Sequence, residues 1–151
     1  MPEKQSMEPR YQVQLKIRKP AAEVFDAVVN NTKLTRYFVQ SASAPLTEGA
    51  TVKWKFAEAP DEFDVLVRRI VQHQQIVLEW QACDGHMLQV DMKFVPLDAG
   101  NTMVQISESG WRETPEDAKQ SYGNAGGWMH MMCCLKAYLE YAINLRAGGA
   151  R

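Results

Sequence analysis

Thr114-Pro-Glu-Asp-Ala-Lys-Gln-Ser-Tyr-Gly-Asn-Ala-Gly-Gly-Trp-Met-His-Met-Met-Cys-Cys-Leu-Lys-Ala-Tyr-Leu-Glu-Tyr-Ala-Ile-Asn-Leu-Arg146 is the stretch whose reading decides the fold. Thr114 offers a capping hydroxyl, Pro115 suits the first helical position, and Glu116 and Asp117 complement the positive end of a helix. Downstream, Trp128, Met131, Met132, Leu135, Leu139, Ala142 and Ile143 recur at helical spacing and share one face. Lys136, Ala137, Glu140 and Asn144 fall on the other face. The spacing predicts a helix running to Arg146, with Trp128–Arg146 alone roughly 28 Å long. Such a stripe needs a broad apolar partner.

The chain before it supplies one. Tyr11, Val13, Leu15 and Ile17 alternate with polar residues over 10–18, predicting a half-buried strand. Pro20 opens a short helix carrying Val24, Phe25 and Val28, which Asn30-Asn31-Thr32 is expected to break. A second helical turn is expected over Lys33–Phe38, and a polar loop over Gln40–Gly49. The period then becomes two. Val52, Trp54 and Phe56 alternate with lysines, and Phe63, Val65 and Val67 follow after a turn. Ile76–Trp80 is a third run, and Asp84-Gly85 is a hairpin signal before Leu88, Val90, Met92 and Phe94. Asp98–Asn101 turns the chain again into Val104 and Ile106, and Trp111 ends the strands. Short turns between successive strands imply an antiparallel meander. A six-stranded sheet at ~4.8 Å spacing is roughly 24 Å across and must curl. A curled sheet with one apolar face closes on the long helix.

Bulk composition fits one domain of 151 residues, with 17 basic against 18 acidic side chains and a net charge of −1. That balance gives no reason to expect nucleic acid or an anionic membrane as a partner. No apolar run approaches the ~20 residues of a membrane span. Residues 1–9 are polar and are expected to form a disordered arm rather than a secretory signal, with a domain over 10–147 and a short tail over 148–151. Three cysteines, two of them adjacent, point to a reducing cytoplasm rather than a disulfide scaffold.

Three stretches resemble a known family: Pro20-Ala-Ala-Glu-Val-Phe-Asp-Ala-Val28 running into Leu34-Thr-Arg-Tyr-Phe38; Gln75-Ile-Val-Leu-Glu-Trp80; and Gly127-Trp128 followed by Leu135-Lys-Ala-Tyr-Leu139. In this order they resemble the activator of heat-shock-protein-90 ATPase homologues, a branch of the START-like or SRPBCC superfamily. The resemblance implies an α+β helix-grip fold over residues 10–147, with a cavity between sheet and C-terminal helix that often holds an apolar ligand. It also allows a chaperone as partner. Because the superfamily carries many activities, function has to be argued from the site.

Four constellations bear on chemistry. Cys83-Asp84-Gly85-His86 has a C-x-x-H spacing, but a structural zinc needs four ligands, and adjacent Cys133 and Cys134 point about 100° apart on a helix. They read as structural cysteines and a turn, with no metal and no cofactor expected. No G-x-S-x-G nucleophile elbow is present, and His73, His86 and His130 fall in a turn, at a strand start and near the helix stripe's edge. Glu108 continues the inward alternation of Val104 and Ile106, so it is either a buried acid that orients a ligand or donates a proton, or a strand-end partner of Arg112. Finally, Trp54, Phe56, Phe63, Val65, Leu88, Val90, Met92, Ile106, Trp128, Met131, Met132 and Leu135 converge between sheet and helix. With Glu108 they are the candidate ligand-binding set, and the same apolar residues would also serve as a solid core. Gly126-Gly127 reads as a helix bent close to the sheet or as a hinge at the pocket mouth. Three functions follow as expectations: an apolar or aromatic small-molecule binder, a chaperone-associated module, or a cyclase- or hydrolase-like enzyme using a cavity acid.

Overall fold

The computed structural model describes residues 10–148. The expected N-terminal arm and the last three residues lie outside the described residues. The elements are β1 (Tyr11–Ile17), α1 (Ala21–Val29), α2 (Asn31–Leu34), β2 (Ser41–Ala42), β3 (Thr51–Lys55), β4 (Glu62–Val71), β5 (Gln75–Gln81), β6 (Met87–Asp98), β7 (Asn101–Ser109) and α3 (Pro115–Tyr141), with a closing 3-10 turn at Leu145–Gly148. Every neighbouring strand pair is antiparallel, in the order β1-β7-β6-β5-β4-β3-β2. The chain's first strand thus pairs with its last, Val13 opposite Ile106 and Leu15 opposite Val104.

The sheet has seven strands, not six. The extra one, β2, is two residues long and lies in the expected polar loop, where Ser41 and Ala42 pair with Lys55 and Trp54. Two residues leave no period to read; side chains flank the backbone pairing, with Ser43 Oγ accepting from the Lys53 amide at 2.8 Å and Gln40 Oε1 from Lys55 Nζ at 2.7 Å. Asn30-Asn31-Thr32 does not simply break α1 either. The Asn30 side chain accepts from the Thr32 amide at 3.0 Å, so the break after α1 is also the cap of α2.

α3 begins as its sequence dictates: Thr114 Oγ1 accepts from the Asp117 amide at 3.2 Å, with Pro115 directly behind. It ends earlier than expected. Ala142 adopts the left-handed conformation (φ 55°, ψ 37°), its N–H bonds the Tyr138 carbonyl at 3.0 Å, and the Ile143 N–H reaches the Ala137 carbonyl at 3.2 Å. Ala142 and Ile143 therefore leave the apolar stripe, and Ile143 is exposed. Apolar periodicity continued past a backbone stop that no glycine or proline announced.

The stripe's central part, Trp128, Met131, Met132, Cys134 and Leu135, is buried against the sheet's inner face. There it meets Val52 and Trp54 from β3, Val65 and Val67 from β4, Ile76 and Leu78 from β5, Val90, Met92 and Phe94 from β6, and Val104 and Ile106 from β7, all in one cluster. α1 and α2 close a further side with Val24, Phe25, Val28 and Leu34. A second, smaller cluster forms from Ala82, Leu88 and Trp111, with Tyr11 and Trp80 bridging toward the first. At Gly110, which follows β7, φ is +99° and an added Cβ would lie 2.8 Å from the Met87 carbonyl oxygen, so only glycine fits.

The C-terminal end of α3 is tied to β1 by charge. Glu140 accepts from Arg18 Nε and Lys136 Nζ, each at 2.5 Å, and from the Arg18 amide at 3.1 Å. Desolvation opposes ionisation there, but the Lys136 and Arg18 hydrogen bonds outweigh it and hold the carboxyl down to about 2, from an ordinary 4.5. A depressed folded-state pKa means the contribution is complete above about 4.5 and is lost as pH falls through about 2. The stability difference between the wild type and Glu140→Gln should therefore shrink steadily across that window. Urea midpoints at stepped pH measure it, and a pH-independent difference would contradict the assignment.

Candidate functional site

A cleft of about 490 Å³ opens at one end of the sheet–helix interface, walled by Phe38, Phe56, Glu58, Trp80, Gly123, Asn124, Gly127, Trp128, His130 and Arg146. Each element contributes for a reason readable in its sequence. β5 alternates Ile76, Leu78 and Trp80 inward, and Trp80 is the residue at which that row reaches the open end. α3 presents Asn124, Trp128 and His130 along one side, with Gly123 and Gly127 between them. A Cβ added at Gly123, Gly126 or Gly127 would meet nothing within 4 Å. The glycines therefore do not serve a close approach of helix to sheet; α3 is continuous through them, and Gly123 and Gly127 leave cleft volume unfilled.

The aromatic wall is a connected set. Trp80 and Trp128 have ring centroids 5.3 Å apart, Phe38 and Trp128 5.8 Å, and Phe38 and Phe56 5.1 Å. Phe56 in turn meets Phe63 at 5.8 Å. Tilted and edge-on arrangements of this kind suit aromatic quadrupoles. Trp128 and Phe38 are buried within the set, while Trp80 and Phe56 are part-exposed.

Glu108 stands behind this wall. It is fully buried on the inner face of β7, where its carboxylate accepts from Trp80 Nε1 at 2.7 Å, from Asn124 Nδ2 at 3.1 Å, and from the Tyr11 hydroxyl in a short bond. Burial, then the charge and hydrogen bond of Glu108, push the Tyr11 phenol far above its ordinary pKa. The expected alternative, pairing with Arg112, does not occur: Arg112 Nη1 is on Asp84 Oδ2 at 2.7 Å. Glu108 does not line the cleft. It fixes two groups that do, the Trp80 ring and the Asn124 amide. With Asn124 Nδ2 turned to Glu108, the amide oxygen is left as an acceptor.

Of the candidate set, Phe56 and Trp128 line the cleft. Trp54, Val65, Val90, Met92, Ile106, Met131, Met132 and Leu135 are at most 1% exposed and fill the main core. Leu88 belongs to the smaller cluster, with Trp111. Phe63 sits at the start of β4, 40% exposed, beyond the edge of the cleft. Sequence reasoning missed Phe38, Glu58, Trp80, Asn124, His130 and Arg146 as lining residues. The Gly123–Gly127 run was the available signal, since three glycines inside a helix cost stability without filling space.

His130 Nε2 lies 3.6 Å from Cys134 Sγ, one turn along α3. Burial pushes the Cys134 thiol up, with Arg146 opposing and Cys133 adding to the rise. This pair therefore lacks the depressed thiol pKa of an activated nucleophile.

A larger hollow, about 690 Å³, lies where the β5–β6 hairpin meets the start of α3, but its walls are Cys83, Asp84, Arg112, Thr114, Glu116, Asp117, Lys119 and Gln120, without an aromatic. Beside it, ligand-type atoms of Asp84, His86 and Asp117 lie within 4.8 Å of one another, as a metal would require. Asp84 holds His86 Nδ1 and Arg112, and Asp117 Oδ2 accepts the Arg112 amide at 2.6 Å, while His86 Nε2, 3.4 Å from Asp117 Oδ2, is buried without a hydrogen bond among the described residues. The cluster latches hairpin to helix.

The curled antiparallel sheet closed on a long C-terminal helix, with an aromatic cleft at the open end, defines a START-like domain. The model of the family described as activator of Hsp90 ATPase homolog 1-like protein matches residues 18–140, and the chain belongs to that family. Among solved structures, the chain is similar to SSP2350 from Staphylococcus saprophyticus, at 26% identity and TM-score 0.79, over 95% of this chain and 100% of that one. It is also similar to DynU16, from the dynemicin biosynthetic locus, at 25% identity and TM-score 0.74, over 88% of this chain and 48% of that one. The Aha1 dimer from Colwellia psychrerythraea shares the fold at 16% identity and TM-score 0.73, over 88% of this chain and 97% of that one. A search of curated protein sequences returns no match. No helix among the described residues is long and apolar enough to cross a membrane.

Proposed function

We propose that this chain is a small-molecule-binding domain that takes a flat aromatic ligand into the cleft between Trp80, Trp128, Phe38 and Phe56. The observation that carries this reading is the connected aromatic wall around an open volume of about 490 Å³. Ligand sites typically run ~300–1,000 Å³, mostly apolar with a few fixed polar groups. Asn124, held by Glu108, is such a group. The site lies at the mouth of the sheet–helix interface, while the interior beneath it is packed. DynU16 comes from a biosynthetic locus, a setting in keeping with a small-molecule partner. A chaperone-associated role rests on the family description alone. It would show as a changed chaperone ATPase rate at saturating protein. An acid-catalysed reaction has less support, because Glu108 is closed off by its three donors.

The glycines give the test. Replacing Gly126, which does not line the cleft, by alanine should stabilise α3 by ~0.5–1 kcal/mol and leave ligand affinity unchanged. Gly127→Ala should stabilise similarly but weaken aromatic-ligand binding, because its methyl group enters the cleft. Thermal melts with and without a panel of aromatic compounds separate the two effects. Equal binding by both variants would remove the cleft from consideration.

A further inference from the structure

We propose that the cleft selects aromatic ligands bearing a carboxylate, which replaces Glu58 on the guanidinium of Arg146. The inference rests on the cleft being an aromatic-ligand site and adds the charge of what it takes. Arg146 is carried by the 3-10 turn Leu145–Gly148, where its amide is held by Asn144 Oδ1 at 2.9 Å. Its side chain is 15% exposed, with the guanidinium carbon 6.0 Å from the Phe38 ring centroid. A guanidinium has five N–H donors arranged to grip a carboxylate at two points. Among the described residues, that of Arg146 makes one hydrogen bond, Nη2 to Glu58 Oε1 at 2.6 Å. Its fork is therefore used at a single point.

Glu58 is suited to give way. It lies in the connection between β3 and β4, and Arg146 is its only side-chain hydrogen-bond partner among the described residues. Its side chain is 26% exposed, more than that of Arg146, so it can turn into water. Partly exposed single-point ion pairs contribute little to stability. The nearby buried acid, Glu108, has its oxygens occupied by Tyr11, Trp80 and Asn124 and does not answer the charge of Arg146. With Glu58 turned out, the cleft presents one fixed cation, the His130 ring and an aromatic lining whose part-exposed members are Trp80 and Phe56. A planar carboxylate on a flat ring matches both halves. A neutral ligand would leave the Arg146–Glu58 pair across the mouth, and a cationic one would meet Arg146.

Calorimetric titration of the full chain with naphthoate and para-phenylbenzoate, against neutral naphthalenemethanol and para-phenylbenzyl alcohol, tests this. The wild type should bind each carboxylate about tenfold tighter than its alcohol, the scale of one charge-assisted contact. Arg146→Gln should erase that preference, bringing the ratio of carboxylate to alcohol affinity to about one. Glu58→Gln should raise the carboxylate-over-alcohol preference by a further roughly three- to tenfold, through removal of a competing anion. Equal binding of acid and alcohol by the wild type, or a preference that survives Arg146→Gln, overturns the inference and leaves the aromatic cleft standing. No binding in either series removes the cleft reading, and this inference with it.

Discussion

Glu108→Ala is expected to destabilise the domain by about 3–5 kcal/mol, the largest loss from any single polar side chain here. The residue is fully buried, and its removal strands three donors: the Tyr11 hydroxyl, Trp80 Nε1 and Asn124 Nδ2. A buried donor left without an acceptor costs ~1–3 kcal/mol; Tyr11, Trp80 and Asn124 are part-buried, so Asn124 can turn to the cleft, while the emptied Glu108 site adds a void. For a domain of this length the midpoint should fall by roughly 10 °C. Glu108→Gln should cost much less, because its amide oxygen can still serve Trp80 while its NH₂ donates to the Tyr11 oxygen. Asn124 would then face a donor and have to turn its amide over, presenting NH₂ to the cleft. Thermal and urea denaturation of the two variants provides the comparison, and a loss below about 1 kcal/mol for Glu108→Ala would refute the network.

Leu135→Ala should cost a comparable ~2–5 kcal/mol and should not improve the binding of any ligand. Leu135 is fully buried on the helix face that meets the sheet, in the cluster that also holds Met131, Met132 and Met92. If the stripe roofed an open cavity, truncation would enlarge existing space, cost little and admit larger compounds. In a filled core it creates a hole. Tyr122→Ala on the same helix, 75% exposed, is the control and should stay within ~0.5 kcal/mol. A small loss for Leu135→Ala together with tighter ligand binding would return the site to the interior.

These two residues show how far the sequence could be read. Strict alternation from Val104 through Ile106 put Glu108 inside, and the 3.6-residue stripe put Leu135 on the sheet; both are consequences of period alone. The Asp84-Gly85 and Asp98–Asn101 turns and the Thr114 cap likewise carried enough local chemistry to order the strands and start α3. What the sequence lacked was depth. Trp54 and Trp80 share a residue type and the sheet's inner face, yet Trp54 is fully buried in the core while Trp80 is half-buried and lines the cleft. Period says which side of a sheet a residue faces, not how far it lies from the open end. Arg146 was illegible for another reason. The left-handed turn at Ala142 folds the following residues back, bringing Arg146 to Glu58 across 88 positions. Only the assembled chain joins those two loops.

The most direct test of the account follows the four indole N–H signals in a proton–nitrogen correlation spectrum during titration with naphthoate or naphthalenemethanol. Trp80 and Trp128 wall the cleft, whereas Trp111 is buried in the smaller cluster with Ala82 and Leu88 and does not line it. The account predicts that the Trp80 and Trp128 signals move with ligand concentration while that of Trp111 stays fixed. Movement of Trp111 alone, or of no indole at saturating ligand, would contradict it.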